Sequence, residues 1–142
     1  MKGIRLTTLP GAYALCRLAA DAQIPSWARL DGMAELASIA RTSDELSILL
    51  LQERVPDSLE CERDLRAIKV IGPLPLDTVG VLAGLAQPLA AEGISILAVS
   101  THDTDYILVK AARLGPALSA LARAGYEVLS TEPPLGAGFA AQ

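Results

Sequence analysis

Between residues 100 and 105 the chain reads Ser100-Thr101-His102-Asp103-Thr104-Asp105, which places hydroxyls and carboxylates side by side in one short stretch. A carboxylate can receive an ammonium group, and neighbouring hydroxyls can complete its hydrogen bonding. Earlier in the chain, the turn from Gly72 to Gly80 leads into a predicted helix, whose first N–H groups and positive dipole end favour an anion. A molecule carrying both a carboxylate and an ammonium would find a partner for each. The competing reading needs no ligand. In it the stretch from Thr101 to Asp105 is a hairpin loop bonded to itself and Gly80 is a helix-packing glycine, and residue types alone favour that reading.

Other chemistries lack their constellations. His102 is the single histidine; acid–base work needs a partner geometry and a tuned pocket, and a metal needs three or four converging ligands, neither of which one loop histidine beside two aspartates supplies. Cys16 and Cys61 lie far apart with no second cysteine or histidine at ligand spacing, so they read as buried free thiols rather than a zinc site or CxxC pair. The sequence holds no Gly-x-Ser-x-Gly elbow and no phosphate-binding loop of the Walker type. The expectation is therefore no catalytic residue, no metal and no cofactor. Trp27 reads as a core or interface anchor, and Asp77 as a helix cap.

The elements that must position these groups are clearest in the second half. Arg66–Ile71 is a short β-branched run stopped by Gly72-Pro73-Leu74-Pro75. From Asp77, the positions Val79, Leu82, Ala86 and Leu89 share one helical face that ends at Gly93, with Pro88 expected to kink or loosen the last turn. Ile94–Ser100 and Tyr106–Lys110 read as an antiparallel pair around the polar loop. Leu114, Leu118 and Leu121 mark a second helix, started by Pro116 and ended by Gly125, before a last strand from Tyr126 to Ser130. The order is βαββαβ, the split arrangement of ferredoxin-like units.

The first half is less regular. Strands are expected over Ile4–Leu9, Leu36–Arg41 and Leu46–Leu51. The segment from Ala12 to Ala22 favours helix by propensity but a hairpin strand by its position after Pro10-Gly11; strand to Leu18 is the choice made here. Gln52–Asp64, acidic and containing Pro56, reads as a surface connection where two lobes meet. The tail from Thr131, with Pro133-Pro134 and Gly136-Ala137-Gly138, is expected to fray.

Composition bounds the partners. With 51% hydrophobic and 20% charged residues in 142, the chain should bury a core rather than stay disordered. The formal net charge is −4 and neither half carries a basic stripe, which argues against nucleic acid and anionic membrane surfaces as partners. Apolar runs are broken by Gly, Pro or charge short of about 18 residues, and the N-terminus has no long apolar run, the pattern of a cytoplasmic protein. Small molecules and proteins are left as partners.

Two segments carry a family resemblance: Leu6-Thr7-Thr8-Leu9-Pro10-Gly11 continuing to Leu18, and Gly93 to Val109 with its Ser100-Thr101-x-x-Thr104-Asp105-Tyr106-Ile107-Leu108-Val109 run. With Ala67–Leu74 and Thr78–Leu82 they resemble a bacterial family of small tandem ACT-domain proteins over most of residues 3–130, and the animal cytosolic arginine sensors look like distant relatives. The resemblance implies an α+β fold of two ferredoxin-like ACT-type units, with antiparallel sheets and helices on one face: an irregular unit over 1–64, an ACT domain over 65–131, and a flexible tail over 132–142. It implies a regulatory module that binds a small molecule of the amino-acid class at an ACT–ACT interface, within one chain or across two, and leaves open which protein partner is regulated; the edge that a ferredoxin-like sheet leaves open suits a homodimer. The site it implies comprises Val79, Gly80, Ile94, Ser100, Thr101, Asp103, Thr104 and Asp105. The alternative is a non-catalytic structural or protein-interaction module without a ligand.

Overall fold

The computed structural model describes residues 3–31 and 36–129, which form two compact units. One comprises residues 11–65; the other comprises residues 66–129 together with the N-terminal segment 3–10. The N-terminal unit expected over residues 1–64 therefore does not include the first strand, which goes with the C-terminal unit. Its hydrogen-bonding edges explain why. Strand β1 (Arg5–Thr8) pairs antiparallel with the second half of a long strand spanning Cys61–Val70, through Leu6 opposite Val70 and Thr8 opposite Ile68.

In chain order the strands are β1; β2 (Tyr13–Leu18), β3 (Ser38–Arg41) and β4 (Leu46–Leu51); β5 (Cys61–Val70); β6 (Leu97–Ser100), β7 (Asp105–Lys110) and β8 (Glu127–Val128). Helix α1 (Val81–Ala91) lies between β5 and β6, and α2 (Leu114–Arg123) between β7 and β8. The C-terminal unit therefore runs βαββαβ from β5 onward, the ferredoxin-like order expected from the sequence. Its strands are arranged β8-β1-β5-β7-β6, so the N-terminal strand is inserted between the first and last strands of the βαββαβ run, antiparallel to β5 and parallel to β8.

Both helices cover one face of this sheet. Leu6, Ile68, Val70, Ile107 and Val109 from the strands meet Val81, Leu85 and Leu89 of α1 and Ala117, Ala120 and Leu121 of α2 in one buried cluster. The period-2 spacing of the strand residues and the 4-residue spacing on α1 aim these side chains at a common layer. Helix α1 passes through Pro88 and ends at Ala91, with Gly93 at φ 69° where the chain leaves the helix. Arg113 donates to the Glu92 carbonyl, tying the start of α2 to the end of α1.

The unit of residues 11–65 is a four-strand sheet in the order β3-β4-β2-β5, all neighbours antiparallel. Its described residues contain only two short 3-10 turns, Ser26–Ala28 and Gln52–Arg54, in place of α-helices. Ala14, Cys16, Ile48, Leu50 and Val55 form its core, against which Trp27 packs partly buried. The ambiguous segment after Gly11 is strand, as chosen: Gly11 has φ 84°, and β2 is held on both sides, by β4 and by β5.

Two expectations are corrected here. Residues 61–64 are not surface connection; they extend β5, because Cys61 pairs with Cys16 and Glu62 with Leu15. A bulge follows, marked by Asp64 at φ 59° and by a reciprocal pair of bonds in which the Asp64 amide donates to Gln52 Oε1 and Gln52 Nε2 donates to Asp64 Oδ1. The cysteines are also not free. They are register partners with Cα atoms 4.7 Å apart and form a disulfide. The expected tail over 132–142 lies outside the described residues.

Candidate functional site

The segment linking β5 to α1 and the hairpin loop linking β6 to β7 form the walls of a cleft of about 320 Å³. Three contacts fix these walls together. Leu74 donates its amide to the Asp103 carbonyl at 2.7 Å, and the Thr104 hydroxyl donates to the Val70 carbonyl at 2.6 Å. Gly72 comes so close that a Cβ there would lie 3.0 Å from the Asp103 carbonyl oxygen and 3.2 Å from Thr104 Cβ. The glycine is thus required by close approach, and the peptide it shares with Pro73 is cis.

On one wall, α1 begins at Val81 rather than near Asp77. Gly80 occupies the N-cap position with φ 83°, a conformation that favours glycine, and among the described residues no side chain caps the helix. The expected cap at Asp77 fails because a turn intervenes: the Thr78 amide bonds the Pro75 carbonyl, placing Asp77 inside a loop. Helix geometry leaves the amides of Val81, Leu82 and Ala83 without intrahelical acceptors, and all three residues line the cleft. The Gly84 amide, one step on, already bonds the Gly80 carbonyl.

On the other wall, the hairpin loop is strongly self-bonded. The Thr101 amide and hydroxyl both donate to the Thr104 carbonyl, at 2.9 and 3.1 Å. The Ser100 hydroxyl donates to Asp105 Oδ1 at 2.6 Å, and His102 Nδ1 lies 3.0 Å from Asp103 Oδ1. Thr104 is buried, whereas Asp103 and His102 are exposed. Charge at the cleft is therefore carboxylate on the loop and amide dipole at the helix, with no lysine or arginine among its described lining residues.

Of the eight expected residues, Gly80, Ser100, Thr101, Asp103, Thr104 and Asp105 line this cleft. Val79 is adjacent and strongly exposed but does not line it, and Ile94 is buried in the helix-face core, where its amide bonds the Leu89 carbonyl. Sequence reasoning overlooked the apolar part of the lining, Leu74, Pro75, Leu76 and Leu82. The available signal was the density of Leu and Pro in a turn, where such side chains have little core to enter. Leu76 stays 74% exposed and Val79 86%, so an apolar rim borders the cleft. Among the described residues, no group of three or more His, Cys, Asp or Glu could hold a metal ion, and no helix is long and apolar enough to cross a membrane.

The chain is similar to known proteins in sequence and in fold. The model of the ACT domain matches residues 60–123, and a second model, of an N-terminal domain, matches residues 11–58. A protein from Agrobacterium tumefaciens, solved by X-ray crystallography, is 38% identical over 92% of this chain and 95% of its own, with a TM-score of 0.83. The aspartate kinase of Clostridium acetobutylicum, described as an allosteric enzyme, is similar over 87% of this chain and 35% of its own at 12% identity and a TM-score of 0.62. The ligand-free regulatory subunit of aspartate kinase from Thermus thermophilus is similar over 87% of this chain and 98% of its own at 15% identity and a TM-score of 0.56. At those two identities the likeness is one of fold. No curated protein matches.

Proposed function

The chain belongs to the ACT-domain family, whose members are regulatory, typically amino-acid-binding modules, and from that premise we propose that it binds a free amino acid in the cleft between the β5–α1 segment and the β6–β7 loop. The observation that carries this reading is the opposition, across a cleft of about 320 Å³, of an uncapped helix N-terminus and a loop bearing Asp103 and Asp105. That volume is at the small end of ligand pockets. The ligand carboxylate meets the free amides of Val81, Leu82 and Ala83; its ammonium meets Asp105 or Asp103. Ser100, Thr101 and Thr104 shape the loop, Gly80 lets the ligand approach the backbone, and Val79 and Ile94 flank the helix at its two ends. The exposed apolar rim at Leu76 and Val79 is covered by an ACT unit of a second copy, which places the ligand at an interface within a homodimer. The protein catalyses no reaction of its own, and its output is a change in how a partner protein is engaged.

One observation favours the alternative of an interaction module without a ligand: the hydroxyls of Ser100, Thr101 and Thr104 all donate within the protein. Thermal unfolding against each of the twenty amino acids separates the two. A ligand at 100 times its Kd adds about 2.7 kcal/mol, and at about 3 °C per kcal/mol for a chain of this length the midpoint rises by roughly 8 °C. A selective rise with one amino acid or a related group names the ligand. No rise with any of them overturns the binding reading in favour of the interaction module.

A further inference from the structure

The disulfide between β2 and β5 has two unequal ends. Cys16 is 1% exposed, in the core of its unit, whereas Cys61 is half-buried at the start of β5. The two face each other in antiparallel register with Cα atoms 4.7 Å apart, the short separation of a pair that shares no backbone hydrogen bonds. Cross-strand cysteines at that spacing can open and close their bond without moving either strand. Among its described lining residues, the groove beside them carries Glu45, Glu60 and Glu62 against one cation, Arg17, which itself pairs with Glu45 at 4.0 Å.

We propose that Cys16 and Cys61 form a thiol–disulfide exchange site in which Cys61 is the attacking thiol, Cys16 the resolving thiol, and the co-reactant a small cationic or neutral disulfide. The Cys61 thiolate attacks one sulfur of R–S–S–R, forming the mixed disulfide Cys61–S–S–R and expelling one R–S⁻. The Cys16 thiolate then attacks Cys61 Sγ, closing the cross-strand bond and expelling the second R–S⁻. The two cysteines lose two electrons, the co-reactant is reduced to two thiols, and the two protein thiol protons go to the released thiolates. Exposure sets the order of events: both cysteines line the groove, but Cys16 is 1% exposed and Cys61 is the more accessible of the two. Charge sets the co-reactant, since the carboxylates repel an anionic disulfide and attract a cationic one.

The test uses the intact reduced protein, treated with cystamine or with glutathione disulfide and followed by intact mass and peptide mapping. Wild type should lose the mass of two hydrogen atoms and keep no adduct. Cys16→Ser should retain one adduct at Cys61, and Cys61→Ser should retain none while its circular dichroism stays native. At about 10 mM salt, where the screening length is about 30 Å, cystamine should react at least about tenfold faster than glutathione disulfide, and 1 M salt should shrink that ratio. Should a variant fail to fold, wild type quenched early with limiting cystamine must show its adduct on Cys61. An adduct on Cys16 instead, a wild type that keeps its adduct, or glutathione disulfide reacting as fast as cystamine at low salt would each overturn the proposal.

Discussion

Replacing Thr104 by valine tests what holds the cleft together. The Thr104 side chain is 6% exposed and its hydroxyl donates to the Val70 carbonyl at 2.6 Å, so the loop is anchored to the end of β5 by a buried bond. Valine keeps the shape, removes the donor and leaves the carbonyl facing a methyl group. A net hydrogen bond is worth about 1 kcal/mol, and stranding its buried acceptor raises the loss to about 2 kcal/mol. At about 3 °C per kcal/mol the unfolding midpoint should fall by roughly 6 °C. Serine at the same position keeps the bond and deletes one methyl group, a loss of about 0.8 kcal/mol, or roughly 2 to 3 °C. The expected order of midpoints by calorimetry is wild type, then Thr104→Ser, then Thr104→Val. Faster hydrogen exchange of the Leu74 amide, whose acceptor is the adjacent Asp103 carbonyl, should accompany the valine variant. A valine variant as stable as wild type, or less affected than the serine variant, refutes the reasoning. So does a loss of amino-acid affinity with an unchanged midpoint, since that would assign the hydroxyl to the ligand.

Asp105→Ala should weaken amino-acid binding at least about tenfold, a loss within the range for a charge-assisted hydrogen bond, while circular dichroism stays native; unchanged affinity by calorimetric titration removes Asp105 from the site. Gly80→Ala should lose about 1 to 2 kcal/mol, because Gly80 sits at φ 83° where a Cβ is strained, read as a midpoint roughly 3 to 6 °C lower. Reduction of the Cys16–Cys61 bond, which spans a sequence separation of 45, should release unfolded-state entropy worth about 4 kcal/mol in the chain-entropy model, checked by urea unfolding with and without reductant. Tyr126 is buried and its hydroxyl finds no partner among the described residues, and burial raises its pKa above the ordinary 10.0. A raised folded-state pKa gives stability that is intact below pH 10 and is lost as pH climbs through and beyond it. Tyr126→Phe should therefore flatten the alkaline fall in stability and, at neutral pH, leave the midpoint unchanged or slightly higher.

Where the sequence was readable, one physical signal dominated. Val70, Ile107 and Val109 sit in strand runs set off by turns, so the βαββαβ order could be read from the sequence. The core face of α1 could not: of the expected stripe Val79, Leu82, Ala86 and Leu89 only Leu89 is buried, Val79 and Leu82 are exposed, and the helix, starting at Val81, turns Val81, Leu85 and Leu89 inward instead. Cys61–Asp64 was unreadable for the opposite reason. Its residues are mostly charged, and they are strand only because β2 supplies the other half of the ladder; pairing overrode local composition. The insertion of β1 between β5 and β8 is equally non-local, since nothing in Arg5–Thr8 says which edge it will join. Asp77 misled because a capping side chain predicts a helix start only if the chain turns there, and Gly80 with positive φ made the start four residues later. The disulfide depended on a register that brings together residues far apart in sequence.

The two readings of the hairpin loop, self-bonded turn and ligand wall, do not compete as the residue types suggest. Internal bonds consume the hydroxyls of Ser100, Thr101 and Thr104. They do not consume the capacity of the Asp105 carboxylate, which accepts one bond from Ser100 and has lone pairs left for more. Nor do they touch the amides at the start of α1, which no side chain among the described residues caps. A loop fixed by its own hydroxyls loses less conformational freedom when a ligand arrives, so the same bonds that account for the turn without a ligand also preorganise it for one. The discriminating groups are consequently the ones left over: the Asp105 carboxylate and the amides of Val81, Leu82 and Ala83, all residues that line the cleft. Perturbing the hydroxyls should alter stability first and affinity second, whereas perturbing Asp105 should do the reverse.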